Sequence, residues 1–178
     1  MKLTETPLKD CFVLEPKVFG DERGHFYESF NQRVFNEVTK TDHVFVQDNH
    51  SLSARGVLRG LHFQKTKPQG KLVRVVAGEV YDVAVDIRKN SATYGKWFGI
   101  HLSAENKKQL WVPPGLAHGF VVLADNTQFL YKTTDYYAPT DEGCIKWDDP
   151  DLKIDWHVSE QPKLSEKDKM GQLFSGLE

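Results

Sequence analysis

The sequence has 178 residues, 39% of them hydrophobic and 12% aromatic, with 23 basic against 25 acidic side chains for a net charge of −2. That is enough apolar material for one core, and the aromatic content and near-neutrality exclude a disordered polymer. No stretch reaches the about 20 consecutive apolar residues of a membrane span, and no long basic run provides for neutralising many nucleic-acid phosphates, so neither is expected as a partner.

The first residues, MKLTETPLKDCFVLEPKVFGDERG, lack the basic, apolar and small-residue segments of a secretory signal, and a cytoplasmic location is expected. Turn residues are scattered rather than gathered into a linker, so residues 1–178 are expected to form a single domain. Cys11 and Cys144 stand far apart in sequence and suggest neither a disulfide framework nor a thiolate zinc site. Both are read as packing residues.

Short runs of Val, Ile, Phe and Tyr between turn signals predict strands at 12–14 and 25–30. A helix follows at 31–38, with Asn31 as its cap and Val34, Phe35 and Val38 on one face. Further strands are predicted at 44–48, 57–63, 72–76, 79–87, 97–102, 119–123 and 127–134. The segment 165–170 closes the series as a short helix, because Ser165 and Asp168 make an N-capping pattern. The clearest alternation puts Tyr81, Val83, Val85 and Ile87 on one face and Val80, Asp82, Ala84 and Asp86 on the other, a core face and a partly polar face. Many short strands and little helix predict an all-β sandwich or barrel with short flanking helices. A jelly roll open at one end keeps a ligand pocket between its sheets.

Several polar residues fall where a core is due. In VLRGLHFQ, Leu58, Gly60, His62 and Gln64 alternate with Arg59, Leu61 and Phe63, so either register carries an ionisable group inward. Gly60 permits close approach of a ligand or of backbone. Lys71 enters one strand and Asp82 lies in the next, on what reads as a hairpin joined at Ala77-Gly78, where they fit a structural ion pair. His118 leaves a proline-glycine turn directly into an apolar strand, and Tyr131 sits inside the following one. The Pro113, Gly115, His118 turn matches half of a metal-binding cupin pattern, but GLHFQKT supplies one histidine where two and a glutamate are needed, so no metal is expected. A histidine, a lysine, a tyrosine and arginines without metal fit proton transfer beside a carbonyl, which needs no redox cofactor.

The segments LEPKVFGDERGHFYESF, FVQDNHS, VLRGLHFQ, QGKLVRVVAGEVYDVAVDIRK, LSAENKKQLWVPPGLAHGF, FLYKTTDYYAPTDEG and LSEKDK occur in the order seen in dTDP-4-dehydrorhamnose 3,5-epimerases. The sequence resembles that family over almost its whole length. The resemblance implies a cupin-type jelly-roll sandwich, a homodimer with strand exchange, no cofactor, and a dTDP-4-keto-6-deoxy sugar as substrate. It implies His62 as general base with Asp168 as its orienting partner, Lys71 as stabiliser of the enolate oxygen and Tyr131 as acid on the opposite face. Asp82 stays open as a rival partner for His62. Arg23, Glu28, Gln47, Asp48, Asn49, Arg59, His118, Glu142 and Lys167 are implied to contact the nucleotide sugar, with Tyr137 stacked on the thymine and Tyr136 packing beside it. The rival readings are a 3-only epimerase of a related nucleotide sugar, a non-catalytic nucleotide-sugar binding protein, and a metal-dependent cupin oxygenase.

Overall fold

Thirteen strands and two short α-helices account for most of the regular structure in the computed structural model, which describes residues 1–177. The strands are β1 (Lys2–Glu5), β2 (Phe12–Glu15), β3 (Phe19–Asp21), β4 (Gly24–Phe26), β5 (Gln47–Ser53), β6 (Leu58–Gln64), β7 (Lys71–Ala77), β8 (Glu79–Asp86), β9 (Trp97–Ser103), β10 (Gln109–Val112), β11 (Leu116–Val122), β12 (Thr127–Thr133) and β13 (Glu142–Cys144). They form a six-stranded sheet in the order β1-β2-β10-β7-β12-β5, a five-stranded sheet in the order β13-β6-β11-β8-β9, and an isolated β3-β4 ribbon, with all the pairings antiparallel. This is an antiparallel sandwich, one of the two architectures that the strand pattern predicts, and it agrees with the jelly roll that the resemblance implies.

Val13, Val73, Val75, Val80, Ala84 and Phe129 fill the space between the sheets. The outer face of the five-stranded sheet is buried too: Tyr81, Val83 and Val85 pack against Ile145, Leu152 and Trp156 from the later part of the chain. Strand β8 is therefore apolar on both faces apart from Glu79 at its start and the buried Asp82 and Asp86. On the outer face of the six-stranded sheet, α1 (Gln32–Thr39) covers Trp111. Asn31 caps α1 by accepting hydrogen bonds from the Arg33 and Val34 N–H groups, and Lys40 in the left-handed region stops it. Eight residues are too few to hold a helix alone. Phe35, wholly buried and in edge contact with Phe45 and Trp111, supplies about 2–3 kcal/mol of burial that holds it in place.

Three expectations need correction. Strand β4 ends at Phe26, because the chain then turns into the Asn31 cap. The 44–48 strand is displaced: Val44 is exposed, Phe45 packs on Trp111, and pairing starts at Gln47 and continues through the polar run to Ser53. Lys71 and Asp82 do not share a hairpin, since β7 belongs to the six-stranded sheet and β8 to the five-stranded one. The Ala77-Gly78 link crosses the sandwich.

At the end of β8, Asp86 is fully buried and accepts hydrogen bonds from Arg88, from Ser91 Oγ at 2.6 Å and from Thr93 Oγ1 at 2.6 Å. Burial pushes its carboxyl up, but these bonds outweigh it and hold the group at about 2. Because the folded value lies below the ordinary one of about 3.9, the stabilisation is present above about pH 4 and is lost as pH falls through about 2. Asp86→Asn should cost about 2 kcal/mol near neutrality, allowing for the partly solvated Arg88. It should also flatten the acid limb, and urea midpoints at several pH values read both effects.

Candidate active site

The inward face of the six-stranded sheet is read directly from its register. Tyr131 on β12 pairs with Asn49 on β5 and Val73 on β7, and Thr133 pairs with Gln47 and Lys71. Alternation therefore turns Gln47, Asn49, Ser51, Lys71 and Tyr131 to the same side, toward the opposing sheet. This explains the polar strand β5, whose inward residues face a cavity instead of the core.

On the opposing wall, β6 does not keep the simple alternation expected of it. His118 on β11 pairs with His62 and Phe120 pairs with Arg59, so β6 spends one extra residue between two pairings. This bulge puts Arg59 and His62 on the same inward side, with Leu58, Leu61 and Phe63 in the outer core. Gly60 makes it possible: it lies at φ +130°, and a Cβ there would sit 2.5 Å from the Gly119 Cα. The close approach that Gly60 permits is thus to backbone.

Between the walls lies a cavity of about 350 Å³ lined by Gln47, Asn49, Ser51, Arg59, His62, Gln69, Lys71, His118, Phe120, Phe129, Tyr131, Tyr137 and Glu142. His62 Nε2 lies 2.6 Å from Asp168 Oδ1. Asp168 stands on the one-turn helix α2 (Glu166–Lys169), where Ser165 caps the Asp168 N–H and also donates its hydroxyl to Oδ2 at 2.6 Å. The Gly60 N–H adds a third donor at 3.2 Å. Burial raises the Asp168 carboxyl, but the His62 and Ser165 hydrogen bonds overcome this and hold it at about 2. Asp168 is therefore a fixed anion, and Nδ1 is the ring nitrogen of His62 left for a ligand.

Asp82 is not the partner of His62. Both its oxygens lie 3.0 Å from His118 Nε2, in a second and fully buried His–Asp pair. Each of the two imidazoles facing the cavity is thus tied through Nε2 to its own carboxylate.

Burial pushes the Lys71 ammonium down to about 8, an effect that Glu142 and Asp82 only partly offset, and it has no ion-pair partner among the described residues. Burial also pushes the Tyr131 phenol above its ordinary value, with Arg59 opposing weakly. Tyr131 is therefore a neutral donor near neutral pH. At the cavity mouth Tyr137, half exposed, donates to Glu142 at 2.7 Å, and Glu142 is also ion-paired with Lys167. Cys144, paired across β13 with His62, has its thiol pushed up to about 12 by burial and by Asp168, and is protonated near neutral pH.

A family model described as dTDP-4-dehydrorhamnose 3,5-epimerase matches residues 5–176. The chain belongs to the dTDP-4-dehydrorhamnose 3,5-epimerase family. An epimerase of that name from Pseudomonas aeruginosa is 59% identical over 175 residues, 98% of this chain and 97% of its own. The crystal structure of dTDP-6-deoxy-D-glucose-3,5-epimerase from Legionella pneumophila, in complex with dTDP-4-keto-L-rhamnose, superposes with a TM-score of 0.96 at 51% identity, covering 99% of this chain and 94% of that one. A 3′-monoepimerase from Streptomyces bikiniensis, in complex with dTDP-quinovose, superposes at 0.90 with 32% identity over 96% and 86% of the two chains.

Of the residues singled out from the sequence, His62, Lys71, Tyr131, Gln47, Asn49, Arg59, His118, Tyr137 and Glu142 line the cavity, with Asp168 and Lys167 bonded to its walls. Three lie elsewhere within this epimerase-family chain. Arg23 is on the β3-β4 ribbon, ion-paired with Asp21. Glu28 accepts from Asn31, and Asp48 faces outward to Lys132 at 2.8 Å. Tyr136 is not a packing residue: it is 66% exposed. Ser51, Gln69, Phe120 and Phe129 also line the cavity and are not among the residues expected from the sequence. Ser51 was detectable as the next inward residue after Gln47 and Asn49, whereas Gln69 and the two phenylalanines carry no local signal. No described helix is long and apolar enough to cross a membrane.

Proposed function

We propose that this chain converts dTDP-4-dehydro-6-deoxy-D-glucose to dTDP-4-dehydro-L-rhamnose, inverting C3 and C5 in the biosynthesis of dTDP-L-rhamnose in the cytoplasm. The observation that carries the reading is the placement of His62 and Tyr131 on opposed sheets across one cavity. Inversion requires a proton to leave one face of a carbon and another to arrive on the opposite face, and a slit with a base on one wall and an acid on the other meets that requirement.

The 4-keto group acidifies the hydrogens on both neighbouring carbons. His62 Nδ1 takes the C5 proton, and the imidazolium so formed is stabilised by the Asp168 carboxylate. Charge moves onto the keto oxygen, where Lys71, desolvated by burial, meets it as a cation. Tyr131 gives its proton to C5 from the other wall, leaving a tyrosinate that Arg59 stabilises. Exchange with solvent returns one proton to Tyr131 and removes one from His62, and the same groups then act on C3 after the sugar turns. No electron is gained or lost overall.

Diphosphate binding calls for guanidinium forks, and among the described residues Arg59 is the one arginine lining this chain's cavity. A homodimer in which the β3-β4 ribbon reaches the partner's cavity would supply Arg23, and Glu28 near it. The ribbon supports this reading: it pairs with neither sheet, and Phe19 and Phe26 on it are 54% and 71% exposed. In this reading Tyr137, held at the mouth by Glu142, stacks on the thymine.

Incubation with the keto sugar in deuterated water, with label followed by NMR, tests the reading. Label at C3 and C5, together with rhamnose product trapped by a reductase, supports it. Label at one carbon means a monoepimerase, and binding without label means a non-catalytic receptor. The role of Lys71 has its own signature. The active form is the cation, present below about 8 and lost above it, so kcat/KM should fall as pH rises through about 8. Lys71→Arg, whose charge persists to far higher pH, should remove that limb while lowering the plateau. A limb unchanged in the variant would take Lys71 out of the role.

A further inference from the structure

The proton-transfer scheme gives Cys144 nothing to do, yet the residue sits against its base. Cys144 lies directly across the β13-β6 ladder from His62, on the same face, and its thiol makes only a long contact of 3.6 Å with the Ile145 carbonyl. One donor atom from each of His62, Cys144 and Asp168 can be chosen so that all three lie within 4.8 Å of one another. We propose that His62, Cys144 and Asp168 form an inhibitory site for a soft divalent cation, zinc or cadmium, whose binding switches the enzyme off.

An imidazole, a thiolate and a carboxylate with water in the fourth position make a tetrahedral zinc set, and the thiolate favours soft metals over magnesium or calcium. At bond lengths of about 2.0–2.3 Å, donors around such an ion stand roughly 3.3–3.8 Å apart. The His62–Asp168 contact of 2.6 Å has to open by about an ångström, and no other separation in the chosen set exceeds 4.8 Å, so the remaining adjustment is small. The two pieces that would move are peripheral: Asp168 rides on the one-turn α2, and Cys144 on the three-residue edge strand β13.

The proton balance explains the inhibition. Metal binding to Nε2 transfers the ring hydrogen from Nε2 to Nδ1, and the thiol proton leaves to solvent as the thiolate binds. One proton is released and the metal complex is neutral. Nδ1, the nitrogen facing the cavity, then carries a hydrogen and accepts nothing. The metal thus disables the base through its tautomer without occupying the sugar pocket, a consequence that rests on the epimerase reading above, whereas the binding itself does not.

The test uses the full chain in two arms, with cadmium chloride as the probe. Without substrate, cadmium should produce a near-ultraviolet thiolate-to-metal absorption saturating at one equivalent, absent in Cys144→Ser. With substrate, deuterium exchange should fall at least about tenfold on saturation, while Cys144→Ser keeps wild-type turnover and needs about 10- to 100-fold more cadmium for the same loss. Cys144→Ala carries the same expectations should the serine variant fail to fold. Absence of the band in the wild type, its persistence without Cys144 (which would place it at Cys11), or equal cadmium sensitivity of the variants would each overturn the proposal. A metal-free wild type that exchanges no deuterium counts against the epimerase reading, and the absorption arm still decides the metal site.

Discussion

His62→Ala is expected to lower proton exchange at both C3 and C5 by about 10²- to 10⁴-fold, the range that a positioned general base contributes. One imidazole serves both carbons in the scheme, so both exchanges should fall together, with KM moving little because Arg59 and the mouth residues remain. Asp168→Asn should cost less, about 10- to 100-fold: the amide keeps an oxygen for the Nε2 hydrogen but loses the charge that stabilises the imidazolium. Single-turnover deuterium exchange measures both variants. Near-wild-type exchange in His62→Ala would remove His62 as base, and a deeper loss in Asp168→Asn than in His62→Ala would mean that the carboxylate does more than orient.

Tyr131→Phe should separate exchange from inversion. The ring and its packing beside Phe129, 6.1 Å between centroids, are retained, and only the hydroxyl to which the scheme assigns the proton is lost. His62 can still remove a proton and return one from solvent to the same face. Label should therefore continue to enter, while inverted product falls by about 10²-fold or more. Reading exchange by NMR alongside product stereochemistry decides it, since complete double epimerisation by the phenylalanine variant would exclude Tyr131 as the acid.

The two outcomes depend on parts of the fold that were unequally legible in the sequence. Helix α1 and its Asn31 cap, the β8 alternation and the Ser165–Asp168 cap follow from side-chain spacing and local hydrogen bonding, and these appear as expected. The grouping of Arg59 with His62 did not, because a bulge changes which residues share a face and its only local trace is one glycine. The separation of Lys71 from Asp82 was equally hidden: a tight turn joins a hairpin or a link between sheets with the same residues, and only the pairing of distant strands distinguishes them. Strand β5 was shifted toward its apolar neighbours, since a cavity-facing strand is polar where a core-facing one is not. Which carboxylate meets which imidazole depends on a contact spanning 106 positions, beyond any local rule.

That long span ties activity to the order in which the chain is made. On a ribosome the strand with His62 emerges well before Asp168, and the segment that delivers the carboxylate is also the one whose Ile145, Leu152 and Trp156 cover the outer side of the five-stranded sheet. A nascent chain stopped short of α2 has its imidazole but neither its electrostatic partner nor a sealed outer layer. Catalytic competence and the burial of that sheet are thus acquired late in synthesis, from the same stretch of polypeptide, and turnover reports that this stretch has docked.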